Sequence, residues 1–140
     1  MLNKKVSRGA AFGDIDNDGD IDCVIANNNG SASLYINKNI AKNNWIGFLL
    51  EGKNCNQDAI GSKIILQSAT NNQVSWVNPS GSYLTSNDKR VLFGIGKDNS
   101  VLSIEIVWPD FEKEIFKDLK PNYYYKIIQG GKISKIVFNN

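Results

Sequence analysis

The chain has 140 residues, 41% of them hydrophobic, and a formal net charge of +2 from 16 basic and 14 acidic side chains, with no histidine. That length holds one ordinary domain, or one domain and a fragment of another. The histidine count excludes imidazole metal sites and Ser/His/Asp or Cys/His nucleophiles, and two cysteines cannot supply a structural zinc set.

The opening stretch, MLNKKVSRGA, has basic residues with no hydrophobic run behind them, so it does not read as a secretory signal. No apolar run anywhere approaches the roughly 18 residues needed to span a membrane. Short periodic apolar runs separated by Asn, Gly, Asp and Ser clusters predict an all-β chain. In the first part, strands are expected over 10–13, 21–26 and 33–36. Between the first two lies DIDNDGDID, Asp14 to Asp22, which places five carboxylates in nine residues around a single glycine.

Two carboxylates 5 Å apart repel by about 3 kcal/mol at an effective dielectric near 20. A compact loop holding five of them calls for a cation, and calcium takes six to eight oxygens in irregular geometry. Asp14, Asp16 and Asp18 stand at loop positions one, three and five, where side chains converge on one point. Gly19 permits the sharp turn. Asp20 offers its backbone carbonyl, Asp22 closes the shell with a carboxylate, and Asn17 points away and supports the turn. An EF-hand is excluded: its twelfth loop position needs a bidentate Glu, here Ile25, and the flanks favour strands over helices.

The composition turns polar and asparagine-rich at INKNIAKNN, residues 36–44, which sets a boundary between a first segment, 1–38, and a second, 45–138. In the second, strands are expected over 45–50, 62–67, 73–77, 91–93, 101–108, 113–117, 123–129 and 132–138. Gly130-Gly131 between two alternating runs is a hairpin signal. These strands suffice for a β-sandwich-like domain.

Several features of the second segment have structural readings. Asp58, within Asn56 to Gly61, is expected to accept backbone N–H groups in its own turn, with Gly61 taking a backbone angle other residues avoid. Glu112 and Glu114 read as part of a solvated turn. Trp45, Trp76 and Trp108 read as buried core. Ser80-Gly81-Ser82-Tyr83 and Ser86-Asn87-Asp88 form a polar pair of loops expected at one end of the sandwich, a common binding surface. Cys23 reads as a small core residue and Cys55 as part of a polar turn.

Without the five loop aspartates, the rest of the chain carries +7, from 14 lysines and two arginines, Arg8 and Arg90. These charges are scattered singly, which argues against nucleic acid as a partner.

RGAAFGDIDNDGDIDCVIANNNGSASLYIN resembles the end of an FG-GAP/VCBS repeat, the blade unit of integrin-type β-propellers. Phe12-Gly13 matches its FG, and Asp14, Asp16, Asp18, Asp20 and Asp22 match its calcium ligands. The second segment resembles the ASPIC/UnbV domain through NNWIGFLLEGKNCNQDAIGSKIIL, GSYLTSNDKRVLFGIG and VLSIEIVWPDFEKE, in the family's order. Only one calcium signature is present, and a propeller needs several blades, so the resemblance implies a piece of a larger or reduced propeller protein.

The expected function is a calcium-binding, non-enzymatic interaction or scaffold module that meets a protein or glycan partner. The resemblance implies an extracellular, periplasmic or cell-surface setting. The alternative is a carbohydrate-binding module using the polar loops and an exposed tryptophan.

Overall fold

The structure, a computed structural model, describes residues 5–38, 43–81 and 83–138. It is all-β, and the described residues form three open sheets. The chain divides into two compact units, Met1–Ile40 with Pro79–Asp88, and Ala41–Asn78 with Lys89–Asn140.

The first unit is built on β1 (Ser7–Gly13), β2 (Asp22–Asn27) and β3 (Ser33–Tyr35), antiparallel in that order. Phe12, Cys23 and Tyr35 stand opposite one another across the three strands, as do Ala11, Val24 and Leu34 one residue along. Successive side chains on a strand point to opposite faces, so each face of this small sheet carries an apolar row. The free edge of β1 is met by the segment Pro79–Asp88: the Asp88 N–H donates to the Phe12 carbonyl at 2.9 Å. The Phe12 N–H in turn donates to Asn87 Oδ1 at 3.0 Å. The polar loops expected at one end of the sandwich therefore belong to the first unit, because they satisfy the backbone of β1.

The second unit pairs β4 (Asn44–Glu51), β7 (Val91–Gly96), β10 (Tyr124–Ile128) and β11 (Lys132–Lys135) in the order β11-β10-β4-β7, with β4 and β10 parallel. The other sheet runs β6-β5-β8-β9, from β5 (Lys63–Ser68), β6 (Asn72–Trp76), β8 (Val101–Val107) and β9 (Lys113–Leu119). Both contribute alternate residues to one buried cluster. Ile46, Phe48 and Leu50 of β4 and Phe93 and Ile95 of β7 join Ile64 and Leu66 of β5 and Ile104 and Ile106 of β8. This is a β-sandwich-like arrangement, and the alternation explains why each run reads with period two.

Three details depart from expectation. Ile128 stands opposite Lys132, so the β10–β11 loop holds Gln129 as well as the two glycines. Gln129 leaves the hairpin because its N–H continues the parallel ladder to the Glu51 carbonyl at 2.9 Å. Simple alternation puts Leu102 on the apolar face with Ile104, Ile106 and Trp108, but the pairing shifts register between Gln67 and Ser68, and Val101 is buried while Leu102 is exposed. Trp108 is buried at 1% exposure, but Trp76 is 55% exposed. Trp76 stands opposite Lys63, whose strand neighbours Ile64 and Leu66 face inward, and so it lies on the outer face.

Candidate metal centre

β1 ends at Gly13 and β2 begins at Asp22, and the pairing of those two residues closes the acidic loop at its base. Asp14 and Asp22 are each only 1% exposed. A buried carboxylate needs hydrogen-bond donors, and the loop's own backbone provides them. Asp14 Oδ1 accepts the Asp18 N–H at 3.1 Å and Oδ2 accepts the Gly19 N–H at 2.8 Å. Asp22 Oδ2 accepts the Ile15 N–H at 2.7 Å, and Oδ1 accepts the Asn37 N–H at 2.8 Å, tying the loop to the end of β3. Asp18 Oδ1 accepts the Asp20 N–H at 2.9 Å.

The turn depends on two left-handed residues, Asn17 at φ 63° and Gly19 at φ 92°. Asparagine tolerates that region better than most residues and glycine does so without strain. These dihedrals reverse the chain so that Asp14, Asp16 and Asp18 offer carboxylate oxygens all within 4.8 Å of one another. Asp14 is buried, and the other two face solvent. Asp20 and Asp22 are not in that group of three, and Asp22 serves as the brace described above.

Desolvation within the loop raises the Asp18 carboxyl above its ordinary value. The Asp20 N–H opposes that shift, and the charges of Asp16, Asp20 and Asp14 add to it. The loop thus gathers negative charge at an electrostatic cost, and its donor set is all oxygen. That chemistry suits a hard cation such as calcium rather than zinc or copper.

Sequence reasoning missed the neighbours of this loop in Pro79–Asp88. A Cβ on Gly13 would lie 2.8 Å from Asp88 Cβ, and one on Gly9 would lie 2.4 Å from Thr85 Cγ2. The glycines of β1 therefore admit the segment that caps its edge. The signal was available in Gly9 and Gly13, but their partner lies some 75 residues away in sequence.

The other sequence-predicted features fall elsewhere. Asn56, not Asp58, makes the turn: its Oδ1 accepts the Ile60 N–H at 2.8 Å and its Nδ2 donates to the Ile60 carbonyl at 2.9 Å. Asp58 pairs with Lys89 Nζ at 2.6 Å, and Gly61 does adopt a left-handed φ of 95°. Glu114 accepts the N–H groups of Gly130 and Gly131 at 2.6 and 3.0 Å and so holds the β10–β11 loop. Cys23 and Cys55 are both free. No described helix is long and apolar enough to cross a membrane.

Residues 52–134, more than half of the chain, match the protein family described as ASPIC and UnbV. The chain belongs to the ASPIC and UnbV family. The match takes in every sandwich strand except β4, which lies between β10 and β7 in the sheet, and the last residue of β11. The chain is also 31% identical over 106 residues, 73% of its length, to cartilage acidic protein 1 of Xenopus tropicalis. It spans 16% of the length of that relative. The acidic loop lies outside the residues matched to the ASPIC and UnbV family.

Proposed function

We propose that this chain is a calcium-binding, non-enzymatic interaction and scaffold module of an extracellular or cell-surface protein. One observation carries the reading: Asp14, Asp16 and Asp18 bring carboxylate oxygens within 4.8 Å of one another on a loop braced by its own amides. In this reading Asp14, Asp16 and Asp18 give side-chain oxygens and Asp20 gives its backbone carbonyl. Each Asp22 oxygen already accepts one N–H and keeps a second lone pair to help close the shell. The ion offsets the mutual repulsion of the carboxylates and fixes the β1–β2 connection.

The first unit is read as a blade-like fragment of an FG-GAP/VCBS repeat. Its three-stranded sheet, the edge segment Pro79–Asp88 and the apolar rows on both faces support that reading, since a propeller blade packs on neighbours at both faces. The small share of the relative that this chain spans is in keeping with a larger propeller protein. The word cartilage in that relative's name supports an extracellular setting, with a protein or glycan partner.

An ion that binds only the folded state stabilises it by RT ln(1 + [L]/Kd). Calcium should therefore raise the melting temperature over that measured in chelator, and Asp16→Ala should remove the increment. Superimposable melting curves in calcium and chelator contradict the reading.

A further inference from the structure

The outer face of the β6-β5-β8-β9 sheet displays its side chains in rows fixed by the strand register. One row runs Trp76, Lys63, Val107, Lys113. The next runs Val74, Ile65, Glu105, Ile115, with Val74 and Ile115 exposed at its ends and Ile65 half-buried between them. A third is polar, with Gln67, Ser103 and Lys117, and Ser103 Oγ donates to Gln67 Oε1 at 3.3 Å. Each row spans about 14 Å across four strands, and rows lie about 7 Å apart.

Trp76 is the feature that ordinary folding does not explain. The residue is 55% exposed, with the Lys63 ammonium 5.9 Å from its ring centroid. A large exposed aromatic beside exposed aliphatic residues marks an interaction surface more often than chance. Lysines on an edge strand discourage strand pairing, which accounts for Lys113 and Lys117 on β9. Lys63 lies on the interior strand β5 and has no such role. Glu105 pairs with Lys113 at 2.9 Å, so Lys63 and Lys117 leave this face with a net positive charge.

We propose that this face docks an acidic polysaccharide. The indole stacks against a sugar ring, Lys63 and Lys117 meet its sulfate or carboxylate groups, and Gln67 and Ser103 offer hydrogen bonds to hydroxyls. The flat face suits an extended chain laid across the strands. A lipid bilayer is less well matched, because Val74 and Ile115 are short side chains on a rigid sheet and cannot reach past headgroups. The surface is independent of the acidic loop, so its test is run in chelator and does not depend on calcium.

Fluorescence and heat titrations of the whole chain use heparin as the sulfated probe, polygalacturonate as the carboxylated one and dextran as the neutral control. Tryptophan emission should change saturably with at least one polyanion and not with dextran. The two polyanions distinguish sulfate from carboxylate as the group recognised. Trp76→Thr, which keeps strand propensity, should abolish the emission change, because Trp108 is buried and the half-buried Trp45 lies on the other sheet, packed against Tyr124. Lys63→Gln/Lys117→Gln should weaken binding about tenfold, whereas Lys53→Gln/Lys132→Gln, away from this face, should leave it within about twofold. Equal weakening by the two double variants would mean diffuse charge attraction and overturn the assignment. So would no response to either polyanion, or binding only to phosphatidylserine vesicles, or Trp76-dependent self-association in place of polymer binding.

Discussion

The Asp88 N–H and the Phe12 carbonyl are joined at 2.9 Å, two residues before the first aspartate of the acidic loop. Phe12 has both backbone groups satisfied from the same segment, since its N–H reaches Asn87 Oδ1. A chain segment that leaves the sandwich after β6 and returns to it before β7 therefore completes the edge of β1. Lys89, one residue past Asp88, is already back on the sandwich through its ion pair with Asp58.

This relationship predicts a graded response to glycine substitution. At Gly13 a new Cβ lies 2.8 Å from Asp88 Cβ, whereas at Gly30 the nearest neighbour is 3.9 Å away. Gly13→Ala should cost about 1–3 kcal/mol, the usual range for overpacking, and open the 79–88 segment to proteolysis. Gly30→Ala should be close to neutral. Asn87→Ala, which strips the Phe12 N–H of its acceptor, should cost about 1 kcal/mol. Thermal melts and limited proteolysis measure both effects.

Asp18→Asn should act in opposite directions with and without calcium. Desolvation and the neighbouring carboxylates raise the folded-state pKa of Asp18 above its ordinary 3.8. A group raised in this way contributes stability that is present below 3.8 and is lost as the pH rises through its folded value. In chelator at neutral pH, Asp18→Asn should therefore melt at or above the wild type, with the gap closing as pH falls towards 4. In calcium it should melt below the wild type, because a ligand is gone. Melting curves at four combinations of pH and calcium check the crossover.

Gln129 is the buried polar anchor of the second unit. Its Oε1 accepts the N–H groups of Lys53 and Asn54 at 2.9 and 3.0 Å, and its Nε2 donates to Asp110 Oδ2 at 2.7 Å. Gln129→Leu leaves those partners unsatisfied in a site of 1% exposure. A loss of about 2–4 kcal/mol is expected in urea denaturation. Gln129→Glu should also destabilise, since it replaces the donor to Asp110 with a like charge.

Gly47 has a different reason to be small. A Cβ there would lie 2.1 Å from Tyr124 Cε1, a ring that is itself buried. Tyr124 packs against Trp45 at 4.9 Å between centroids and under the Arg90 guanidinium at 4.5 Å. Gly47→Ala should displace that ring and lower stability by about 2–3 kcal/mol, read as a fall in melting temperature.

Each of the eleven strands among the described residues was visible in the sequence, because short alternating runs between Asn and Gly clusters have few other readings. The acidic loop was visible too, since alternate aspartates with glycine in register have a direct electrostatic meaning. What the sequence concealed was long-range. Nothing local in YLTSNDK marks Asn87 and Asp88 as partners of Phe12, because the Asp88 bond is backbone to backbone and the Asn87 amide reads like that of any loop asparagine. Gln129 likewise reads as the last residue of a strand until its side-chain partners converge on it. Trp76 was misread as core because strand parity, fixed only by the pairing of β5 with β6, decides which face it takes.

The carboxylates of Asp14, Asp16 and Asp18 are proposed to hold one calcium ion. Calorimetric titration of calcium into chelator-stripped protein tests this most directly. Saturable binding of one ion per chain is expected, lost in Asp16→Ala and retained in Asp58→Ala, a carboxylate outside the loop. Absence of any binding heat or saturation at millimolar calcium, or equal binding by Asp16→Ala and the wild type, would contradict it.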